Sequence, residues 1–160
     1  MTKTRYVGFT VVGQSVTVVH ADVPNDINLP IEIVLDATWP VQDGHRPEAL
    51  NVLYQRCASS LKEHGAAHVV VKASALAQAG GTKLAHLESA ECRGVVVAAA
   101  ASIGKPVSIL SKAAISKTYG NRKVDEYLKD DQFWCKNTVG HKLRKTSREA
   151  AMLIVAARNG

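Results

Sequence analysis

Aromatic residues are scarce in this chain: two Trp, four Tyr and two Phe account for 5% of the 160 residues. Surfaces that bind single-stranded nucleic acid without sequence preference stack successive bases on aromatic rings. The scarcity of rings therefore argues against a stacking platform of this kind. The remaining composition, 46% hydrophobic and 21% charged, is that of an ordinary globular protein long enough to form a sizeable core.

Long apolar runs are also missing. The longest candidate, Gly94–Ile103, is shorter than the roughly 20 residues that span a bilayer, and Lys105 and Pro106 soon follow it. The start of the chain, Met1–Arg5, lacks the apolar segment of a secretory signal. We therefore expect a cytoplasmic protein that makes no use of a membrane.

Cysteines are few and widely spaced. Cys57, Cys92 and Cys135 form no C-x-x-C motif, the close spacing that zinc sites and dithiol redox sites commonly use. We interpret all three as reduced thiols, which suits the cytoplasm. A disulfide or a zinc site is the less favoured alternative.

Positive charge is concentrated in one part of the chain. Residues 105–148 contain eleven Lys and Arg against four Asp and Glu, a net charge of +7. The rest of the chain contains nine basic and ten acidic residues, so all of the overall excess of +6 lies in that stretch. Clustered positive charge is typical of proteins that bind polyanions. A basic, soluble surface without a partner is the alternative.

Segments rich in β-branched and apolar residues predict five strands, and segments with helical spacing predict three helices. Their order along the chain is strands Arg5–Val12, Ser15–His20 and Pro30–Leu35, a helix from Pro47 to a stop at Gly65, strand Ala67–Val71, helix Leu84–Ser102, strand Pro106–Leu110 and helix Thr146–Ala157.

The segments between these elements contain turn-forming residues. We predict a loop over 36–46, a turn over 79–82, and turn-forming roles for Asp22 and Asp26 on either side of Pro24. Glu32 alternates with isoleucines and is predicted to face solvent. An antiparallel meander followed by parallel crossovers predicts one α/β domain over residues 1–160. The predicted order is β-β-β-α-β-α-β-α, a mixed five-stranded sheet with helices on both faces.

Three segments in this order resemble those of one nuclease family. Glu91–Ala100 contains Arg93-Gly94 in an alanine-rich helix, Lys105–Ala114 leads into a basic loop, and Thr146–Leu153 begins the last helix. This set resembles the RuvC-like Holliday-junction resolvases, which implies a ribonuclease H-like fold. Members of that family cut DNA with divalent metal ions held by four acids.

Carried over residue by residue, that resemblance implies a degenerate metal site. The acid of the first strand falls on Thr10, that of the fourth strand on Lys72, and the two of the last helix on Thr146 and Glu149. Only Glu149 is acidic, and Mg²⁺ or Mn²⁺ bound as a pair needs several oxygen ligands. We therefore expect no metal cofactor and no catalytic residue, and we predict that Lys72 forms an ion pair with Glu149.

Two alternatives concern the same residues. Thr146-x-x-Glu149 has the spacing of a capping box, in which the glutamate reaches back to the Thr146 backbone N–H. Asp36, at a predicted strand end, could combine with Glu149 in a rearranged site that binds Mg²⁺ or Mn²⁺. The segment Gly80–Lys83 has some likeness to a phosphate-binding loop, but it lacks the G-x-x-x-x-G-K-[ST] spacing.

Eight basic residues are the predicted nucleic-acid contacts. They follow the fifth strand or precede the last helix, so we expect both groups at one end of the sheet, where lysines would contact backbone phosphates. They are Lys112, Lys117, Arg122, Lys123, Lys142, Arg144, Lys145 and Arg148.

The sequence thus favours a catalytically inactive, RuvC-like protein that binds structured nucleic acid, either duplex or branched DNA. It would act as an accessory or regulatory subunit, and the resemblance implies a possible homodimer or larger assembly. Two alternatives stay open: an active metal-dependent endonuclease with a rearranged acidic site, and a protein-interaction module that no longer binds nucleic acid.

Overall fold

The computed structural model describes residues 2–75 and 83–160. The predicted turn at 79–82 and the Gly-Gly part of Gly80–Lys83 lie outside the described residues. The strands are β1 (Lys3–Val12), β2 (Ser15–Pro24), β3 (Ile31–Pro40), β4 (His68–Lys72), β5 (Val107–Leu110) and β6 (Thr138–Gly140). The helices are α1 (Arg46–Glu63), α2 (Leu84–Ser102), α3 (Lys112–Thr118), α4 (Val124–Leu128), α5 (Asp131–Asn137) and α6 (Arg148–Asn159), the last preceded by a 3₁₀ turn (Lys145–Ser147).

The strands form one mixed sheet in the order β5-β4-β1-β2-β3-β6. Strands β1, β2 and β3 are an antiparallel meander, whereas β4 pairs in parallel with β1 and with β5. This confirms the predicted α/β class and mixed sheet. The sixth strand, β6, pairs in parallel with the start of β3 and was not predicted.

Helices cover both faces of the sheet and give the molecule two cores. On one face, Val7, Phe9 and Val11 of β1 pack with buried residues of α1 and α2. On the other face, the buried side chains of α6 pack with Ile31 and Ile33 of β3 and with residues of α3, α4 and α5. The alternation of side chains along each strand feeds both cores, because successive residues point to opposite faces.

A β-bulge in β3 changes which residues face α6. His20 pairs with Leu35 and Ala21 with Ile33, so Val34 has no partner on β2. The extra residue shifts the alternation, and Asp36 therefore lies on the same face as Ile33. The predicted strand end at Leu35 and the loop from residue 36 were wrong, because β3 continues beyond the bulge to Pro40 despite the turn-forming residues that follow.

Strand β2 is also longer than predicted, and Asp22 lies within it rather than in a turn. Its carboxylate accepts two hydrogen bonds from the Arg5 side chain on β1, at 2.6 and 3.1 Å. Asp26 does form a turn, because its Oδ1 accepts from the Asn28 backbone N–H at 2.9 Å. Glu32 lies on β3 with its carboxylate 2.6 Å from Lys3 Nζ, and its side chain is 41% exposed, as predicted.

Gly8 allows α6 to pack closely on β1. A Cβ atom at this position would lie 2.2 Å from the carbonyl oxygen of Ala150, well inside contact distance. Side chains of α6 from Ala150 to Ala156 are buried against the sheet. The absence of a side chain at Gly8 therefore sets how near the start of α6 lies to the end of β1.

The segment between β5 and β6 is held by half of the chain's eight aromatic residues. Tyr119, Tyr127, Phe133 and Trp134 contact one another with ring centroids 4.9–5.8 Å apart. Trp134 Nε1 donates a hydrogen bond of 2.9 Å to the Tyr127 carbonyl. This cluster lies inside the fold and offers no stacking platform.

No helix in the described ranges has both the length and the apolar character needed to cross a bilayer. Cys57 and Cys92 are buried free thiols, and Cys135 is an exposed one.

Candidate functional site

A cleft of about 360 Å³ lies at the end of β1 beside the start of α6. Three of the four residues carried over from the family's metal site line it: Thr10, Thr146 and Glu149. The lining is completed by Val12, Thr17, Leu128 and Lys145. Glu149 is the one carboxylate among these residues. We refer to this space as the main cleft.

Lys72, the fourth residue carried over from the family's metal site, does not line the main cleft itself but contacts Glu149, which does. It ends β4 next to β1, and its Nζ lies 2.8 Å from Glu149 Oε1. The two side chains are 26% and 25% exposed, so the pair is partly shielded from water. The predicted Lys72–Glu149 ion pair is confirmed, across 77 residues of sequence.

The alternative prediction, a capping box formed by Thr146 and Glu149, is wrong. Thr146 lies inside the 3₁₀ turn, and the residue at the N-cap position of α6 is Ser147, whose side chain makes no capping hydrogen bond. Glu149 turns its carboxylate towards Lys72 instead of back towards the Thr146 backbone. The charged partner on β4 therefore competes successfully with the local backbone N–H.

Asp36 holds the segment before α6 against β3. Its carboxylate accepts hydrogen bonds from the backbone N–H, Nε and Nη2 of Arg144 at 2.9, 3.1 and 2.8 Å, and from Ser147 Oγ at 2.5 Å. Burial acts to raise the pKa of Asp36, but the bonds from Arg144 and Ser147 outweigh it and hold the pKa below its usual value. With its oxygens occupied and its side chain 5% exposed, Asp36 is a structural residue.

The described residues do not fit a pair of divalent cations. Magnesium and manganese bind several hard oxygen ligands in near-octahedral geometry, and the main cleft supplies one carboxylate that is already paired with an ammonium. Elsewhere in the described ranges, no three His, Cys, Asp or Glu residues are grouped as metal ligands. Asp36 cannot join Glu149 without giving up its bonds to Arg144.

Four of the eight predicted nucleic-acid contacts form ion pairs within the chain. Lys112 pairs with Asp125, Arg122 with Asp130, Arg144 with Asp36, and Arg148 with Asp131, at 2.7–2.9 Å. Arg122 also lies over the Tyr127 ring, 4.2 Å from its centroid.

Arg148 is buried, contrary to its predicted role as a nucleic-acid contact at the surface. It is 8% exposed, and its guanidinium donates to the Leu128 carbonyl at 3.0 Å and to Asp131 at 2.7 Å. A side chain that is buried and bonded in this way joins α6 to α4 and α5. It is not available to contact a phosphate at the surface.

Lys117, Lys123, Lys142 and Lys145 are exposed and make no ion pair with other described residues. Lys145 lines the main cleft directly. Lys117 is farther away, because α3 ends beside Gly160 at the opposite end of α6. The predicted grouping at one end of the sheet therefore holds for Lys112, where α3 begins, and for Lys145, but not for Lys117.

A second, smaller cleft of about 220 Å³ lies on the other side of Lys72. Its charged and polar lining consists of Lys72, His86, Ser89 and Arg93, beside Val11–Gly13 of the first hairpin. In the sequence, Arg93 is part of the segment that carries the family resemblance. A further signal was an arginine directly before the valine- and alanine-rich second half of the helix.

No protein-family model matches the chain, and no curated protein matches it. Solved structures do. The chain is similar to a Thermus thermophilus RuvC in complex with Holliday junction substrate, with 10% identity, a TM-score of 0.70, and coverage of 96% of this chain and 91% of that one. A second Thermus thermophilus RuvC structure gives 11% identity and a TM-score of 0.73, with 95% and 92% coverage.

A eukaryotic structure is similar as well. The yeast mitochondrial Holliday junction resolvase shares 9% identity with a TM-score of 0.62, covering 98% of this chain and 79% of that one. Identities this low show the fold. The order of strands, the helices on both faces and these three structures agree that the chain has the ribonuclease H-like fold of the RuvC Holliday junction resolvases.

Proposed function

We propose that this protein binds duplex or branched nucleic acid without cutting it, as a non-catalytic RuvC-like accessory protein. One observation carries the proposal: the Lys72–Glu149 ion pair lies in the cleft where the family resemblance implies a cluster of acids. A site whose one carboxylate is neutralised by lysine attracts anions more readily than cations.

The charges in the main cleft disfavour a divalent cation. At an effective dielectric constant of about 20, an ammonium a few ångströms from a divalent cation repels it by several kcal/mol. Thr10 and Thr146 supply hydroxyls in place of carboxylates, so Glu149 alone among the lining residues offsets that repulsion. Asp36 is held by Arg144 and Ser147, which disfavours the alternative of an endonuclease built on Asp36 and Glu149.

The binding surface that we propose is centred on the main cleft. Lys145 lines it, Lys142 lies three residues upstream of the 3₁₀ turn, and both are exposed. Exposed lysines contact phosphate oxygens and release condensed counterions, so binding should weaken steeply as salt is added. The fold shared with a RuvC bound to Holliday junction substrate supports a duplex or four-way junction as the partner.

The test pairs a binding assay with a cleavage assay. Fluorescence anisotropy with a four-way junction and with linear duplex should show binding whose affinity falls as the salt concentration rises. The same junction, incubated with the protein and Mg²⁺ or Mn²⁺, should stay intact. Cleavage by purified protein would support the alternative endonuclease, and lack of any salt-sensitive binding would support a protein-interaction module.

A matched pair of variants tests the location. Lys142→Glu with Lys145→Glu should lower the affinity by at least tenfold, because each change removes a phosphate contact and adds repulsion. The control, Lys62→Glu with Lys105→Glu, changes the net charge equally. Both lysines are exposed and precede β4 and β5, at the end of the sheet opposite to the main cleft, so this variant should have a much smaller effect. Equal losses in the two variants would argue against the main cleft. Arg144 is left unchanged, because its loss would expose Asp36.

A further inference from the structure

We infer that the second cleft, lined by Lys72 and Arg93, holds one phosphodiester group of the bound nucleic acid. The inference rests on the proposed function and adds a contact to it. The cleft lies between β1, the end of β4 and the first turns of α2, with Lys72 separating it from the main cleft. A strand crossing this end of the sheet would meet both clefts in succession.

Arg93 carries a positive charge that no acid in the structure balances. Its Nη1 donates to Ser74 Oγ at 2.7 Å and its Nη2 to the Val11 carbonyl at 3.0 Å, both neutral acceptors. It forms no ion pair with any described residue, and residues 76–82 contain no Asp or Glu. Partial burial lowers the pKa of Arg93, which reflects the cost of holding an unpaired charge there.

The guanidinium also retains unused hydrogen-bond donors. Two of its five N–H groups are used in the contacts above, and the buried Nε–H finds no acceptor among the described residues, which leaves one N–H on each terminal nitrogen for a ligand. Arg93 is half-buried, so the side chain is fixed in place yet still reaches the cleft. A fixed, uncompensated guanidinium with free terminal donors is well suited to binding phosphate oxygens in pairs.

The start of α2 adds to the positive potential. This 19-residue helix has no side-chain hydrogen bond at its N-cap and no acid in its first turn. Unpaired N–H groups and the helix dipole favour an anion at such an end. Glu88 and Glu91, farther along the helix, turn to Gln14 and Arg46 respectively. His86 lines the cleft and adds a further donor.

Lys72 connects the two clefts electrostatically. Glu149 neutralises it from the side of the main cleft, at 2.8 Å, while Arg93 on the other side has no such partner. Among the residues that line the second cleft, Lys72 and Arg93 are the charged ones and both are positive, so the lining is net positive even with the ion pair intact. This arrangement attracts a single anionic group such as a backbone phosphate.

The experiment measures junction binding by wild type, Arg93→Ala and Arg93→Lys as a function of salt. We expect Arg93→Ala to weaken binding about tenfold, the loss of one charged hydrogen-bonding contact, and to reduce the salt slope by about 0.9. Arg93→Lys should recover part of the affinity. The exposed Arg56, on α1, provides the control Arg56→Ala, which should bind like wild type.

Junctions with one neutral methylphosphonate identify the phosphate. At the phosphate bound by Arg93, the neutral substitution should weaken wild-type binding but cost nothing further in Arg93→Ala. Losses that add at every phosphate, or unchanged affinity and salt slope in a folded Arg93→Ala, would overturn the inference while the proposed function stands. If wild type binds no nucleic acid at all, the proposed function fails and the inference fails with it.

Should Arg93→Ala fail to fold, Arg93→Lys carries the test. It keeps the charge but not the paired donors, so the methylphosphonate penalty at that one phosphate should shrink relative to wild type. An unchanged penalty in Arg93→Lys at every phosphate would count against the contact.

Discussion

Lys72 ends β4, the strand between β5 and β1 in the sheet. Its ammonium nitrogen lies 2.8 Å from Oε1 of Glu149 on α6. Ion pairs that are partly shielded from water contribute more than exposed ones, but each charge is costly if its partner is lost. Lys72 and Glu149 therefore depend on each other. This dependence makes the pair a useful point at which to reverse the proposed change of function.

Rebuilding the acids should restore cation binding. In the variant Thr10→Asp, Lys72→Glu and Thr146→Asp, the main cleft would hold four carboxylates with Glu149, and we expect Mn²⁺ to raise the thermal midpoint. Saturation at about 100 times Kd corresponds to about 2.7 kcal/mol of stabilisation. Isothermal titration with Mn²⁺ and thermal unfolding are the measurements, and wild type should show neither response.

The control for this variant adds the same residue types elsewhere. Thr2→Asp, Thr4→Asp and Lys62→Glu change the net charge equally but lie away from the main cleft. Equal Mn²⁺ responses in the control and the rebuilt variant would show nonspecific binding to acids and contradict the prediction.

Of the side-chain contacts described above, some were predictable from the sequence and others were not. The Lys72–Glu149 pair was predictable because both positions map to one site with opposite charges. The Asp36–Arg144 contact was not, since it joins residues 108 apart and depends on a bulge that no local pattern indicates. Arg148 was misjudged because an arginine in a basic stretch normally faces solvent, whereas here Asp131 and the Leu128 carbonyl hold it inside.

At the scale of secondary-structure elements, α6 packs directly on β1 at Gly8. Gly8→Ala would put a methyl group 2.2 Å from the Ala150 carbonyl oxygen, so α6 must move away. Overpacking of this kind costs about 1–3 kcal/mol, and the shift would also separate Glu149 from Lys72. Urea unfolding should show the loss of stability, and junction binding should weaken in the same variant.

Gly94→Ala is the matched control in a helix. Apart from the neighbouring residues and backbone of α2 itself, no described atom lies within 4 Å of a Cβ built at Gly94, and alanine is favoured over glycine in helix interiors by about 1 kcal/mol. This substitution should stabilise the protein. Destabilisation by both substitutions to a similar degree would argue that the tight packing at Gly8 is not the cause.

The elements themselves were largely predictable. β-branched runs located β1, β2, β4 and β5, and helical spacing with Pro47 and Gly65 located α1. The missed features depend on tertiary contacts. Strand β6 has three residues and exists through pairing with β3, and β3 continues to Pro40 beyond a bulge. The short helices α3–α5 are stabilised by their aromatic contacts, which a weak local pattern does not reveal.

On the scale of the whole molecule, a buried histidine makes stability depend on pH. The core beneath α1 encloses His20, which is fully buried, with Nε2 3.2 Å from Ser60 Oγ and Nδ1 without a partner among the described residues. The His64 ring lies 4.7 Å away, and Arg5, held by Asp22, is the nearby cation. Burial, followed by the charges of His64 and Arg5, lowers the pKa of His20 from 6.5 to about 3.

Global stability should therefore fall with acid well above the range where carboxylates titrate. The unfolded chain binds a proton at His20 near pH 6.5 while the folded protein does not, so stability is full above that pH and declines towards pH 3. At pH 5 the loss from this residue is about 2 kcal/mol. Urea unfolding at pH 7 and pH 5 measures it. His20→Gln should flatten the dependence; an unchanged slope would mean that other groups cause it.

Charge on this scale was readable from the sequence, since residues 105–148 carry the entire positive excess. Which of those charges remain available was not readable. Intramolecular pairing with Asp36, Asp125, Asp130 and Asp131 withdraws four of the eight predicted contacts. The charge distribution in the sequence therefore predicts the sign of the charge on a binding partner, and only the folded chain shows which lysines are free to contact it.

The counter-charge to Glu149 is covalently attached to the polypeptide. Dialysis and chelators, which strip inorganic ions from a site, cannot remove it, and its stoichiometry is fixed at one per chain. The cleft thus keeps the same electrical state whether divalent ions in its surroundings are plentiful or depleted, and its hold on a polyanion should be the same in EDTA as in buffer without it.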